Sequence, residues 1–154
     1  MGTERTVAIP GPEGQLDARV MEIDGARTGL VMCHPHPLFS GTMDNKVVTT
    51  AARAAKGLGL NTLRFNFRGV GSSDGEHDHG VGEQQDVASA VRYAKEELGW
   101  ERIILAGFSF GAGMACLYGC DHAETIDGLV LIAPAVHHFD APTTLPQGIE
   151  TWVL

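Results

Sequence analysis

Two Gly-x-Ser-x-Gly patterns contain the residues best able to do chemistry in this sequence. The pattern GFSFG spans residues 107–111 around Ser109, and GSSDG spans residues 71–75 around Ser73. A serine nucleophile needs a sharp turn between a strand and a helix, which holds its hydroxyl clear of both. Glycines flank such a turn because side chains there would strike the neighbouring strand and helix.

The flanking sequence separates the two serines. The apolar run RIILA (102–106) precedes Ser109, and the helix-compatible run GAGMACLYG follows it, whereas Ser73 has polar, glycine-rich sequence on both sides. We therefore predict that Ser109 is a nucleophile on a strand–turn–helix and that Ser73 is a loop residue.

An attacked carbonyl group needs hydrogen-bond donors for the negative charge that develops on its oxygen. The backbone N–H of Phe110 is one predicted donor, reinforced by the dipole of the helix that it begins. The second is expected from the loop HPHPLF (34–39), where the two prolines have no N–H and His36 and Leu38 are the nearest donors. The alternative is that this loop is only a rigid turn.

Short apolar runs alternate with amphipathic stretches and predict the elements that position these residues. Crossover helices between apolar strands indicate an α/β fold, with a mostly parallel central sheet and helices on both faces. The carboxyl ends of such strands meet at one edge of the sheet, so the loops after residues 33, 67 and 106 should converge there. Strands are predicted at 16–23, 29–33, 61–67, 102–106 and 128–133, and helices at 45–58, 83–98 and 111–120.

Length and composition exclude several other classes of protein. A chain of 154 residues is expected to form one domain, and its net charge of −8 argues against a nucleic-acid partner. No run is long enough to span a membrane, so we expect no membrane association. Three cysteines without a secretory signal sequence indicate a cytoplasmic protein.

No cofactor or metal is predicted. The sequence has no phosphate-binding Gly-x-x-x-x-Gly-Lys-Ser/Thr pattern. The histidines of HPHP and of EHDH (76–79) lack the spacing of a metal site with an identifiable third ligand. We interpret His77 and His79 as residues of a solvated loop.

Three motifs in this order resemble the α/β-hydrolase superfamily, and more narrowly its small, lidless bacterial serine hydrolases: HPHPLFSGTMDNKVV, LRFNFRGVGSSDG and LAGFSFGA. The resemblance covers the chain from about residue 28 onward. It implies that Ser109 is the nucleophile and that the HPHP loop and Phe110 form the oxyanion hole. It also implies hydrolysis of small carboxylic esters or thioesters through an acyl-enzyme. In that superfamily the acid of the triad follows the strand after LVLIAPAV, and the histidine follows the last strand.

The sequence departs from this pattern because it stops at ETWVL. We therefore expect residues 1–154 to be a single α/β-hydrolase domain that is incomplete at its C terminus, lacking the last strand and helices. Without its base the chain should hydrolyse esters slowly. His137, His138 and Asp140 follow the 128–133 strand and are candidates for a substitute base or acid, the alternative being ordinary loop residues.

Two functions stay open at this point. The first is a serine hydrolase of carboxylesterase type that acts on a small-molecule ester. The second is a catalytically inactive α/β-hydrolase-like module that binds a ligand or a partner. An uncovered sheet edge would also allow a homo-oligomer to form by strand pairing.

Overall fold

A computed structural model describes residues 2–135 and 144–154 of the chain. One seven-stranded sheet has the strand order β1-β2-β4-β3-β5-β6-β7. Its strands are β1 (Arg5–Gly11), β2 (Gly14–Met21), β3 (Thr28–Cys33), β4 (Asn61–Phe65), β5 (Arg102–Phe108), β6 (Gly128–Ile132) and β7 (Glu150–Val153). Its helices are α1 (Lys46–Gly57), α2 (Gly82–Glu96) and α3 (Phe110–Asp121), with short 3₁₀ turns at Pro37–Phe39 and Ala123–Thr125.

The predicted α/β fold is confirmed, and the sheet is parallel from β4 to β7. β1 and β2 form an antiparallel hairpin, and β2 joins the parallel strands by pairing antiparallel with β4. Each predicted strand and helix lies within about two residues of an observed one. Because β3, β5 and β6 run in the same direction, the loops that follow them lie at the same edge of the sheet.

The three helices cover both faces of the sheet. α1 lies on one face, where Val48 and Ala55 pack against Leu30, Met32 and Ala106 of the sheet. The side chain of Asn45 caps this helix by accepting a hydrogen bond from the Val47 N–H at 2.9 Å. α2 and α3 lie on the opposite face and contribute to the larger of the two apolar clusters.

The larger cluster holds the core under the carboxyl edge. Phe65, Phe67 and Phe110 are each at most 1% exposed and pack edge to face, with ring centroids 5.1 and 5.6 Å apart along the series. This packing fixes the first residue of α3 against the ends of the neighbouring strands. Within the part of the chain that the structure describes, no helix has the length and hydropathy needed to cross a membrane.

Candidate active site

Ser109 is the single residue between the last residue of β5 and the first residue of α3. Its backbone has φ 57° and ψ −114°, a conformation that a residue with a side chain adopts only under strain of about 1–3 kcal/mol. Three backbone hydrogen bonds hold it there: the Ser109 N–H donates to Ile132 O at 2.9 Å, and Ser109 O accepts from the Gly113 N–H at 3.2 Å and from the Ala135 N–H at 3.1 Å. The geometry is that of the predicted strand–turn–helix.

Two glycines permit the sharpness of this turn. A Cβ atom on Gly107 would overlap the backbone of Gly111 and Ala112, and a Cβ atom on Gly111 would overlap the carbonyl group of Cys33. Steric overlap therefore explains glycine at both positions, as predicted from the sequence. β5, the first turn of α3 and the end of β3 approach one another more closely than side chains would allow.

The HPHP loop lies beside the start of α3. The ring of His36 packs against the rings of Phe110 and Phe39, with centroids 4.8 Å apart in both pairs. The loop is also internally bonded, since the Leu38 N–H donates to Nδ1 of its neighbour His36 at 3.1 Å. Leu38 would have to exchange this bond to donate to an oxyanion.

His34 has a structural role that the sequence did not reveal. Its ring is fully buried, Nδ1 lies 2.7 Å from Pro35 O, and Nε2 accepts a hydrogen bond from the Phe67 N–H at 3.0 Å. These two contacts suit a neutral imidazole protonated on Nδ1. Burial lowers the pKa of His34 from 6.5 to about 4. His34 therefore ties the end of β3 to the residue that follows β4 by two positions.

Ser73 is committed to backbone contacts. Its hydroxyl donates to Asn66 O at 2.7 Å and accepts from the Asp17 N–H at 2.9 Å. The side chain is buried and joins β2 to the loop after β4. Its placement in a loop, away from any strand–turn–helix, agrees with the sequence prediction.

Two buried carboxylates of α2 form hydrogen bonds with the loop between β4 and α2. The carboxylate of Asp86 accepts hydrogen bonds from the backbone N–H and from the guanidinium of Arg68, both at 2.9 Å. The side chain of Asp86 is 1% exposed and that of Arg68 is 4% exposed. Glu83 accepts hydrogen bonds from the backbone N–H groups of Asp78 and Gly80, at 2.8 and 2.9 Å. These contacts attach the loop to the first turns of α2.

The interpretation of His77 as a solvated residue is wrong. Its side chain is only 12% exposed, and its Nδ1 lies 3.1 Å from a carboxylate oxygen of Glu83. Its ring is also 5.3 Å from that of His36 and 6.1 Å from that of Phe110, between centroids. A loop that looks polar in sequence thus places an imidazole beside the HPHP loop. His79, by contrast, is exposed.

The candidate base and acid residues His137, His138 and Asp140 lie outside the described residues. The Ser109 hydroxyl forms no hydrogen bond with any residue in the ranges 2–135 and 144–154. In those same ranges no group of three histidine, cysteine or acidic side chains is arranged to hold a metal ion.

Comparison with known proteins supports this architecture. The family model described as the alpha/beta hydrolase fold matches residues 30–153. An uncharacterized protein of Rickettsia prowazekii is 35% identical over 149 residues, covering 94% of this chain. The chain spans 62% of the length of that relative.

Two solved structures are similar over nearly the whole chain. One, from Xanthomonas campestris, is described as an α/β serine hydrolase without a lid; it is 34% identical with a TM-score of 0.86, over 97% of this chain and 70% of that one. The other, from Coxiella burnetii, is described as an α/β serine hydrolase homologue. It is 34% identical with a TM-score of 0.81, over 100% of this chain and 88% of that one.

Proposed function

Since this chain belongs to the alpha/beta hydrolase fold family, we propose that it is a serine hydrolase that cleaves small carboxylic esters or thioesters through an acyl-enzyme on Ser109. The observation that carries the proposal is the strained backbone of Ser109 at the junction of β5 and α3. A strained conformation held by its surroundings is characteristic of functional residues.

In the proposed reaction the Ser109 hydroxyl oxygen attacks the carbonyl carbon of the ester and its proton passes to a base. The electron pair of the carbonyl bond moves to the oxygen, where the Phe110 N–H and one N–H of the HPHP loop, from His36 or Leu38, stabilise the negative charge. That pair returns as the alcohol or thiol leaves with the proton, giving the acyl-enzyme. Water then attacks the same carbonyl carbon and releases the acid.

The base that accepts the Ser109 proton is the next part of the proposal. His137 and His138 follow β6 in the sequence, and β6 runs parallel to β5. Asp140, two residues after His138, is the proposed acid. A serine hydroxyl needs such a partner to react at neutral pH. We propose one of these two histidines as the base of the 154-residue chain.

The second candidate function is a catalytically inactive module that binds a ligand or a partner. One observation favours it: the Leu38 N–H, a predicted oxyanion donor, donates instead to His36 Nδ1 at 3.1 Å. Such a module would keep the site geometry and lack turnover.

One set of variants separates the two functions. Hydrolysis of 4-nitrophenyl acetate by the purified chain is compared with hydrolysis by Ser109→Ala and by the control Ser72→Ala, which removes an exposed hydroxyl from a neighbouring loop. For the hydrolase, Ser109→Ala lowers the rate about 10³-fold or more, whereas Ser72→Ala leaves it unchanged. A fluorophosphonate probe should label Ser109, located by mass spectrometry of peptides.

The same assay identifies the base. One of the two single variants, His137→Ala or His138→Ala, should lower the rate about as much as Ser109→Ala, because members of a triad act as a unit. The other single variant should leave the rate unchanged. A background rate that Ser109→Ala does not change, with no labelling of Ser109, would instead support the inactive module.

A further inference from the structure

A cavity of about 510 Å³ lies between α1 and the sheet, apart from the loops around Ser109. α1 contributes one wall through residues at spacings of three and four, which share a face of a helix. β2 and β4 contribute the floor, and residues 2–4 contribute the rim. The residues of the wall are Thr49, Ala52, Arg53 and Lys56, and those of the floor are Met21, Thr62 and Arg64.

Arg64 is an unusual residue for this floor. β4 is an interior strand, and its alternate residues Leu63 and Phe65 belong to the apolar core. Arg64 faces the other way, toward α1, and only 10% of its side chain is exposed. A cation at the centre of a sheet is costly to bury and needs compensating contacts.

The contacts of Arg64 hold its guanidinium in place at the cavity. It donates to Met43 O and to Asp44 at 2.7 Å each, and to Glu4 at 3.0 Å. Both carboxylates belong to loop or terminal segments and are themselves exposed. The guanidinium is thus held in one orientation by the protein itself, so little of its conformational entropy remains to be lost when a ligand binds beside it.

Two further cations line the same cavity. Neither Arg53 nor Lys56 forms an ion pair with a carboxylate in residues 2–135 or 144–154. The lining contains three cations and the carboxylate of Glu4, and Asp44 also pairs with Arg64, so the unpaired Arg53 and Lys56 leave this region with a net positive charge in a chain of net charge −8. A concave surface of net positive charge concentrates anions.

We propose that this cavity binds a small organic phosphate. The phosphate group lies against Arg53 and Lys56, beside the guanidinium of Arg64, and the organic part lies against Met21 and Ala52. Arginine matches the geometry of phosphate oxygens, and a dianion suits the two unpaired cations Arg53 and Lys56. The volume falls within the range of small-molecule sites. This site is independent of ester hydrolysis at Ser109.

The test uses phenyl phosphate, titrated into the purified chain and followed by calorimetry and by backbone NMR. We expect saturable binding, with the largest shifts of amide signals at Ala52 and Thr62. The double variant Arg53→Gln/Lys56→Gln should weaken binding about tenfold or more, because two charge-assisted contacts are lost. Its rate of ester hydrolysis should equal that of the unmodified chain.

A matched control is available on α2. Arg92→Gln/Lys95→Gln removes two cations at the same helical spacing outside this cavity, and should change the affinity for phenyl phosphate less than about twofold. Glu4→Gln should strengthen binding, because it removes the carboxylate that competes for Arg64.

Three results would overturn the proposal. The first is no saturable binding up to about 20 mM phenyl phosphate, weaker than a millimolar site. The second is an equal loss of affinity in the two double variants, which would show attraction to net charge alone. The third is weaker binding by Glu4→Gln.

Discussion

Gly111, in the first turn of α3, lies directly against the carbonyl group of Cys33, the last residue of β3. This contact sets the position of the helix N terminus relative to the HPHP loop, which begins at the next residue. The two predicted sources of oxyanion donors are therefore positioned by one backbone contact. Their separation depends on the absence of a side chain at Gly111.

Gly111→Ala should consequently damage both stability and activity. The new methyl group overlaps backbone atoms that cannot rotate away, and overpacking of this kind costs about 1–3 kcal/mol. We expect the free energy of unfolding to fall by that amount in urea titrations, and the hydrolysis that depends on Ser109 to fall more than tenfold, since small displacements of catalytic groups are expensive.

Gly57→Ala is the control for Gly111→Ala. Gly57 ends α1, and a Cβ atom there would meet no other atom within 4 Å. Alanine should be neutral or should stabilise the protein by about 0.4–1 kcal/mol. Equal stability of the two variants would contradict the steric role assigned to Gly111.

The buried ring of His34 should make stability depend on pH. Its folded pKa of about 4 lies below the ordinary value of 6.5 because burial disfavours the charged ring. Unfolding therefore takes up a proton between these values, so the contribution of His34 is complete above pH 6.5 and is lost as the pH falls toward 4. From pH 7 to pH 5 this amounts to about 2 kcal/mol.

His34→Gln tests that assignment. The amide oxygen can replace Nε2 as acceptor for the Phe67 N–H, and glutamine does not titrate. The difference in free energy of unfolding between pH 7 and pH 5, measured in urea, should be about 2 kcal/mol smaller in the variant. An unchanged difference would mean that other groups cause the pH dependence.

Each of the five predicted strands and three predicted helices matches an observed element because their signals are local, whereas β1 was not predicted. The run RIILA and the small residues after Ser109 determine β5 and α3 through neighbours in the chain, and the glycines at 107 and 111 have a local reason as well. The turn at Ser109 follows from these two signals together. Such features need no knowledge of distant contacts.

Tertiary contacts decide the features that the sequence did not reveal. His77 lies in a polar stretch, yet Glu83 and the ring of His36 bring it beside the HPHP loop. The sequence shows Arg64 only as one residue of a strand and does not show that its side chain lies under α1. The strand order places β4 between β2 and β3, so alternate residues of β4 lie on two covered faces of the sheet. Sequence spacing alone specifies none of these relationships.

The free energy of unfolding should fall strongly when one partner of the ion pair between Arg68 and Asp86 is removed. Both side chains are nearly inaccessible to solvent, and Asp86 also accepts a hydrogen bond from the backbone N–H of Arg68. Arg68→Met leaves an uncompensated carboxylate in the core, which should cost about 3–5 kcal/mol of unfolding free energy. Urea titration at pH 7 measures this loss.

Arg27→Met is the matched control for Arg68→Met. It removes an arginine of similar pairing distance, 2.9 Å to Glu101, but both partners are well exposed. The change should be within about 1 kcal/mol, as for other surface ion pairs. A loss as large as that of Arg68→Met would contradict the role given to burial.

The edge strand β7 should promote self-association. Among residues 2–135 and 144–154 it pairs with β6 alone, and Trp152 on it is 61% exposed. An exposed apolar edge strand is a template for pairing with another copy. We expect sedimentation velocity to show dimers or larger species whose fraction increases with protein concentration. Trp152→Lys should shift the distribution toward monomer, because a charged edge opposes pairing.

The control Leu58→Lys changes an apolar residue that is 79% exposed just after α1, off the sheet edge, and should leave the distribution unchanged. A monomeric chain at about 100 μM, or equal effects of the two lysines, would rule out association through β7.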